Sequence, residues 1–197
     1  IQLSPEEDEL WNLIFQTGKK IKEDVYGRRI VTFALLYVSN YCVNNCQYCG
    51  YREENKQIKR HQLTSEELVE EVKALVSEGH KRLIMVYGEH PSSDARYIAK
   101  SLELTYQTKV GHGEIRRVNV NAAPMTIEEL KMLKEVGIGT YQVFQETYHH
   151  ETYQRVHPKG IKSNYRWRLY SLHRSLEAGA DDVAIGALFG LYDWKFE

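Results

Sequence analysis

The sequence predicts an α/β protein in which short strands alternate with longer amphipathic helices around a parallel sheet. The strand-like runs are rich in β-branched or aromatic residues and lie at residues 31–38, 82–87, 114–121, 140–145 and 182–188. Helix-like runs separate them, which is the pattern of repeated βα units. Five such steps in one direction are compatible with a doubly wound sheet or with a (β/α)8 barrel.

The helices between the strands have recognisable ends. Ser4 opens a capping-box spacing with proline in the first turn, and the same spacing recurs at Thr64 and Thr126. The helix after Thr64 carries an apolar stripe that would pack on the sheet, formed by Leu68, Val69, Val72, Leu75 and Val76. Glycines fall where each helix would end before a strand, at Gly79, Gly137 and Gly179.

Composition and charge restrict the classes of function. The chain has 197 residues, of which 42% are hydrophobic and 27% charged, so we expect one sizeable core and no disordered chain. Lys+Arg 26 against Asp+Glu 27 gives no positive field that would attract nucleic acid. No window approaches the roughly 18 apolar residues of a membrane span, and the first residues do not resemble a signal peptide. We therefore expect a cytoplasmic protein that binds a small molecule, with neither nucleic acid nor membrane as partner.

The length favours an incomplete architecture. A (β/α)8 barrel usually takes about 250 residues, so this chain is too short to close one. It also stops just after the fifth predicted strand, which would leave that edge strand uncovered. We expect the first part of a longer protein or an excised domain, with a single core domain over residues 1–197 and a helical lead-in over residues 1–30.

All three cysteines of the chain lie close together, as Cys42, Cys46 and Cys49 in a CxxxCxxC motif. This spacing does not suit a disulfide framework, and thiolates are the ligands that iron–sulfur clusters and zinc select. The motif lies in the stretch 41–63, which has no regular pattern, as is common for functional loops. Two alternatives follow: zinc with a fourth ligand, for which His61 is the nearest histidine, or a [4Fe–4S] cluster with one open iron.

The residues around the cysteines resemble those of the radical S-adenosylmethionine (SAM) enzymes. The segment 37–52 (YVSNYCVNNCQYCGYR) is similar to the cluster loop of the tyrosine lyases, especially their [FeFe]-hydrogenase maturase branch. Other blocks agree in order and spacing, namely 79–83 (GHKRL), 88–91 (GEHP), 113–121 (GEIRRVNVN), 136–141 (VGIGTY) and 144–149 (FQETYH). The thiazole-pathway branch shares 145–149 and 186–188, and residues 163–170 look somewhat more like that branch.

The resemblance implies a TIM-type (β/α) barrel of the radical SAM superfamily, of which this chain would hold the N-terminal portion with about five βα units. It implies a lyase that reductively cleaves SAM at a [4Fe–4S] cluster and splits L-tyrosine into p-cresol and dehydroglycine. In the maturase branch this leads to carbon monoxide and cyanide for the hydrogenase active-site cluster. The alternatives are a 2-iminoacetate synthase for thiazole biosynthesis and a non-catalytic zinc-binding scaffold.

The resemblance also implies cofactors and partners. Cys42, Cys46 and Cys49 would bind the [4Fe–4S] cluster, and Tyr48 would be the aromatic residue near the adenine of SAM. A second, auxiliary iron–sulfur cluster is expected only in a C-terminal region that this chain lacks. The expected partners are L-tyrosine, an electron donor such as ferredoxin or flavodoxin, and hydrogenase maturation proteins.

Charged residues near the predicted strand ends would bind SAM. Gly88 and Glu89 form a variant of the family's GGE motif, whose carboxylate and backbone receive the SAM amino group. Arg168 would bind the SAM carboxylate through its bidentate guanidinium, with Arg166 as the alternative. Glu146 ends the fourth predicted strand, where its carboxylate could reach the ribose hydroxyls.

Other strand residues would line the cavity. The amides of Asn119, Asn121 and Gln145 are expected to face polar groups of the substrate, whereas Ile185 and Leu188 would lie against the adenine. The sequence assigns no catalytic residue. His149, His150 and His157 are expected to be surface histidines and not metal ligands.

Overall fold

The computed structural model describes residues 4–197, so residues 1–3 of the predicted lead-in lie outside the described residues. The chain forms two compact units, Ile1–Thr32 and Phe33–Glu197. Helix α1 (Pro5–Tyr26) belongs to the first unit, where Ser4 and Glu7 make the predicted capping box. Within residues 4–197 no helix combines the length and apolarity that crossing a bilayer requires.

The second unit is built on a parallel sheet of five strands. In chain order the strands of the unit are β1 (Ala34–Ser39), β2 (Arg82–Tyr87), β3 (Lys109–Val110), β4 (Gly113–Glu114), β5 (Arg117–Asn121), β6 (Thr140–Gln142) and β7 (Asp182–Ala184). The sheet has the order β1-β2-β5-β6-β7, and every adjacent pair in it is parallel. These strands follow chain order without reversal, which is the arrangement of a barrel and not of a doubly wound sheet. The predicted fold class, an N-terminal part of a TIM-type barrel, is confirmed.

The second unit has six α-helices, several of which pack on one face of the sheet. They are α2 (Ser65–Ser77), α3 (Ala95–Gln107), α4 (Ile127–Val136), α5 (His150–Val156), α6 (Tyr165–Leu169) and α7 (Ser171–Glu177). The predicted capping boxes at Thr64 and Thr126 begin α2 and α4. The core lies between the helices and the sheet, because alternate strand residues such as Val118 and Val120 are fully buried together with Leu68 and Val72 of α2.

The opposite face of the sheet carries a row of aligned residues. The register pairs Tyr37 with Val86, Val86 with Asn121, and Asn121 with Gln142. In β5, Asn119 and Asn121 alternate with buried valines, so both amides lie on this face. In a barrel this is the interior face, and its C-terminal rim is where the strand-end loops assemble a site.

Several strand boundaries differ from the sequence prediction. The first strand begins at Ala34 and not at residue 31, and residues 109–114 form a short antiparallel hairpin, β3 with β4, before β5. The last two strands end at Gln142 and Ala184, and their ladder resumes only at a single bridge between Glu146 and Ala187. The interruption has a physical reason, because the carbonyl of Phe144 accepts a hydrogen bond from the Arg168 side chain at 2.7 Å.

Candidate functional site

A cavity of about 150 Å³ lies at the C-terminal ends of β1, β2 and β5. It brings together many of the predicted site residues, namely Cys42, Cys46, Cys49, Gly88, Glu89, Asn121, Glu146 and Arg168. Four further polar or aromatic side chains line the same cavity, those of Asn44, Tyr51, Tyr87 and Lys162. The wall therefore combines three thiols with two carboxylates and two cations.

The three cysteines lie on the loop that follows β1, and all are free thiols. Cys46 is the buried one, and burial raises the pKa of its thiol to about 11, although the Lys162 ammonium acts in the opposite direction. A thiol in this environment keeps its proton until a metal replaces it, because the thiolate is the form that binds metals.

Three thiols on one loop are the donor set that a [4Fe–4S] cluster with one open iron takes. Within residues 4–197 no three His, Cys, Asp or Glu side chains converge as ligands of one metal ion. A structural zinc site needs four ligands around one point, whereas a [4Fe–4S] cluster takes each thiolate on a separate iron atom. His61, the nearest histidine candidate, instead lies 2.9 Å from the Glu67 carboxylate.

Backbone contacts hold the cysteine loop against the end of β2. The amide of Val43 donates to the carbonyl of Glu89 at 2.9 Å, and the amide of Gly88 donates to that of Ser39 at 2.8 Å. A Cβ atom at Gly88 would overlap the carbonyl oxygen of Tyr41. Gly88 therefore contributes through its lack of a side chain, which lets the two loops pack together.

The segment that follows α5 packs against the other side of the cysteine loop. The amide of Asn45 donates to the carbonyl of Lys159 at 3.1 Å, and the amide of Gln47 donates to that of Val156 at 3.0 Å. Gly160 has a φ of +98°, and a Cβ atom there would overlap the Asn44 side chain. These contacts bring Lys162 to the cavity wall.

Glu146 and Lys162 form an ion pair in this wall. Their side chains lie 2.8 Å apart and are 17% and 10% exposed, respectively. Burial, and then the positive charge of Arg168, lower the pKa of the Lys162 ammonium, whereas Glu146 acts in the opposite direction. Glu146 also has a φ of +71°, an uncommon backbone conformation for a residue other than glycine and one that concentrates at functional sites.

Arg168, on α6, reaches the cavity from beneath the end of β6. It is 8% exposed, and its Nε donates to the carbonyl of Phe144. This bond fixes the guanidinium plane at the cavity wall. Arg166, the alternative in the sequence prediction, is exposed and does not line the cavity.

Tyr48 does not line the cavity itself, but it is tied to residues around it. Its hydroxyl lies 2.7 Å from Nε2 of His157, and the ammonium of Lys162 lies 5.6 Å from the centre of its ring. His157 is 1% exposed, so the expectation of a surface histidine is wrong for this residue. The reason is that its ring packs against Tyr153 and is hydrogen-bonded on both nitrogens. His150 is exposed as expected, and His149 caps α5.

Besides Tyr48, four of the predicted site residues lie elsewhere than the cavity wall. Asn119 is two residues before Asn121 and accepts a hydrogen bond from the Thr140 amide at 2.9 Å. Gln145 is 3% exposed, and its amide has no hydrogen-bond partner among residues 4–197. Ile185 and Leu188 follow β7 at the edge of the sheet and are 76% and 39% exposed.

Among the residues of this region that were not predicted from the sequence, Asn44, His157 and Lys162 make the long-range polar contacts. Each lies in a segment without helical or strand periodicity, where the pattern carries no information about side-chain contacts. Only their positions in the sequence could have indicated them. Asn44 lies between two cysteines, and His157 and Lys162 follow the fourth predicted strand, whose C-terminal end faces the site.

The buried His157 predicts a pH dependence of stability. Burial first, and then the Lys162 charge, lower its pKa from 6.5 to about 3, so the folded chain keeps it neutral while the unfolded chain protonates it below 6.5. The contribution of His157 to the free energy of unfolding is therefore fully present above pH 6.5 and decreases as the pH drops toward 3. We expect the wild type to lose about 2 kcal/mol relative to His157→Gln when the pH drops from about 6.5 to about 5, measured by urea unfolding.

His150→Gln is the matched control for this prediction, because His150 is exposed at the start of the same helix. It should keep the pH profile of the wild type. Equal pH profiles for wild type and His157→Gln would show that His157 takes up protons equally in the folded and unfolded states.

The Radical SAM superfamily pattern matches residues 36–195. The chain therefore belongs to the radical SAM superfamily, the class that the parallel barrel strands and the cysteine loop define.

Particular members of the superfamily are similar over nearly the whole chain. The crystal structure of HydG, a maturase of the [FeFe]-hydrogenase, is 52% identical with a TM-score of 0.92, covering 100% of this chain and 43% of that one. HydG from Carboxydothermus hydrogenoformans is 46% identical with a TM-score of 0.90, covering 100% of this chain and 44% of that one. The 2-iminoacetate synthase of Escherichia coli K12 is 32% identical over 99% of this chain. This chain spans 50% of that synthase, so it corresponds to about half of such relatives.

Proposed function

We propose that the protein is a radical SAM carbon–carbon lyase of the hydrogenase-maturase type, which splits L-tyrosine into p-cresol and dehydroglycine. The observation that carries the proposal is the 52% identity to HydG across the whole chain, together with a cavity that holds all three cysteines. In this proposal dehydroglycine leads to carbon monoxide and cyanide for the hydrogenase active-site cluster. Residues 1–197 form one radical SAM core domain, with a helical lead-in over residues 1–30.

In this proposal, residues around the cavity bind the [4Fe–4S] cluster and SAM. Cys42, Cys46 and Cys49 bind the [4Fe–4S] cluster, which together with SAM supplies a carbon-centred radical for hydrogen abstraction. Glu89 receives the SAM amino group, and the fixed guanidinium of Arg168 receives the SAM carboxylate.

Other residues orient the reactants. Glu146, held by its ion pair with Lys162, is within the cavity and accepts hydrogen bonds from the ribose. Asn121 offers its amide to the substrate at the same wall. For Tyr48, whose hydroxyl is hydrogen-bonded to His157, the role beside the adenine stays a prediction. For Asn119, Gln145, Ile185 and Leu188 the substrate and adenine roles stay predictions, because none of them lines the cavity.

The proposal extends to partners outside this chain. A ferredoxin or flavodoxin supplies the electron, and hydrogenase maturation proteins receive the product in the cytoplasm. The proposal places the auxiliary iron–sulfur cluster outside residues 1–197.

A second candidate is a 2-iminoacetate synthase for thiazole biosynthesis, supported by the 32% identity to the Escherichia coli enzyme. The same cavity residues would serve it, since both reactions begin with SAM cleavage and tyrosine scission. The two candidates differ in what becomes of the two-carbon product.

The test common to both is product analysis on the full-length protein. The protein is first reconstituted with iron and sulfide in the absence of oxygen. When it is then given reductant, SAM and L-tyrosine, it should form 5′-deoxyadenosine and p-cresol in comparable amounts. Formation of 5′-deoxyadenosine without p-cresol would place the enzyme outside the tyrosine lyases, and the absence of both products would contradict the proposal.

A further inference from the structure

Asn44 joins three parts of the cavity through one side chain. It is 1% exposed and lies between Cys42 and Cys46. Its Nδ2 donates to Oε2 of Glu89 at 2.6 Å and lies 3.7 Å from the sulfur of Cys42. Its Oδ1 accepts from the amide of Lys162 at 2.8 Å.

The orientation of the Asn44 amide is determined by chemistry. The backbone N–H of Lys162 can only donate, so the oxygen of the amide must face it. The nitrogen must then face Glu89, whose carboxylate can only accept. The close approach of the Lys162 segment depends on Gly160, where a Cβ atom would overlap Oδ1 of Asn44. The amide therefore has one stable orientation.

We infer that Asn44 is a positioning residue that holds the Glu89 carboxylate for recognition of the amino group of SAM. This inference rests on the proposed function for the part that Glu89 plays. A neutral amide suits the task, because it fixes one carboxylate oxygen without neutralising its charge. Within residues 4–197, no group is hydrogen-bonded to Oε1 of Glu89. This oxygen is therefore available to accept a hydrogen bond from the amino group of SAM in the cavity.

A matched pair of substitutions tests this inference in the full-length, anaerobically reconstituted protein. Asn44→Asp keeps the oxygen that accepts from the Lys162 amide and replaces the donor to Glu89 by an acceptor. Asn45→Asp makes the same change at the neighbouring residue. Asn45 is also buried, but its Oδ1 accepts from the backbone amide of Glu54 and its side chain does not bond Glu89. Iron and sulfide content, SAM affinity by equilibrium dialysis, and the electron paramagnetic resonance spectrum of the reduced cluster with SAM are the readouts.

We expect Asn44→Asp to retain its cluster but to bind SAM about tenfold or more weakly, as for the loss of a hydrogen bond to a charged group. The spectral change on adding SAM should shrink accordingly, and Asn45→Asp should match the wild type in all three readouts. Wild-type SAM affinity in Asn44→Asp, or an equal loss in Asn45→Asp, would overturn the inference.

A double substitution separates positioning from a structural role. If Asn44 acts through Glu89, Asn44→Asp should weaken SAM binding little further in a Glu89→Gln background. Additive losses, or loss of iron from Asn44→Asp alone, would mean that Asn44 only supports the loop and would overturn the inference. Because the readout is SAM binding, a wild type that binds SAM and makes no p-cresol would refute the tyrosine-lyase proposal and leave this inference standing.

Discussion

Cys46→Ala should abolish cluster binding and with it all formation of 5′-deoxyadenosine. Cys46 is the most buried of the three thiols, and the chain has no other cysteine that could replace it. Two remaining thiolates cannot hold a [4Fe–4S] cluster that needs three protein ligands and keeps one iron open. Iron and acid-labile sulfide in the reconstituted full-length protein should fall to background, and the visible absorption of the cluster should disappear.

Gln47→Ala is the control for this substitution, because Gln47 is exposed on the same loop beside Cys46. It should bind iron and sulfide as the wild type does. If Cys46→Ala still cleaved SAM, the assignment of this residue as a cluster ligand would be wrong. Retained iron without SAM cleavage would instead indicate a cluster bound in a different way.

Lys162→Met should destabilise the cluster-free protein by about 3 kcal/mol, because it leaves the Glu146 carboxylate, whose side chain is only 17% exposed, without its ion-pair partner. Methionine keeps the length of the side chain and removes the charge. The expected magnitude is that of a buried charge left unpaired, which exceeds the effect of an exposed pair. Urea unfolding followed by circular dichroism measures the change.

Lys159→Met supplies the comparison, since Lys159 lies on the same segment and pairs with Glu53 at the surface. This variant should unfold at the urea concentration of the wild type. Adding Glu146→Gln to Lys162→Met should recover most of the lost stability, because the orphaned charge is then gone. A Lys162→Met protein as stable as the wild type would show that Glu146 finds another counter-charge, for which Arg168 on the same cavity wall is the candidate.

The regular elements could be predicted from the sequence because their signals are local. The capping boxes at Ser4, Thr64 and Thr126 begin helices as predicted, and the strand at Arg82–Tyr87 has the predicted bounds. These features depend on residues a few positions apart, which is the range that periodicity and capping rules cover. The choice of a barrel over a doubly wound sheet came from the family resemblance, and the strand order agrees with it.

The polar contacts of the site could not be predicted, because they join residues far apart in sequence. Asn44 meets Glu89 across 45 positions, and Tyr48 meets His157 across 109. Lys162 and His157 lie in a segment whose path is set by the close packing that Gly160 permits. For Asn119, strand position gave the face on which its amide lies, but not the hydrogen bond that its Oδ1 accepts from the Thr140 amide.

Carbon monoxide release by the full-length protein distinguishes the hydrogenase-maturase function from that of a 2-iminoacetate synthase most directly. The protein is reconstituted without oxygen and given reductant, SAM and L-tyrosine, and the released gas is trapped on deoxyhaemoglobin and detected by its absorption shift. We expect carbon monoxide together with p-cresol. A preparation that makes p-cresol and no carbon monoxide would contradict the hydrogenase-maturase function and favour the 2-iminoacetate synthase.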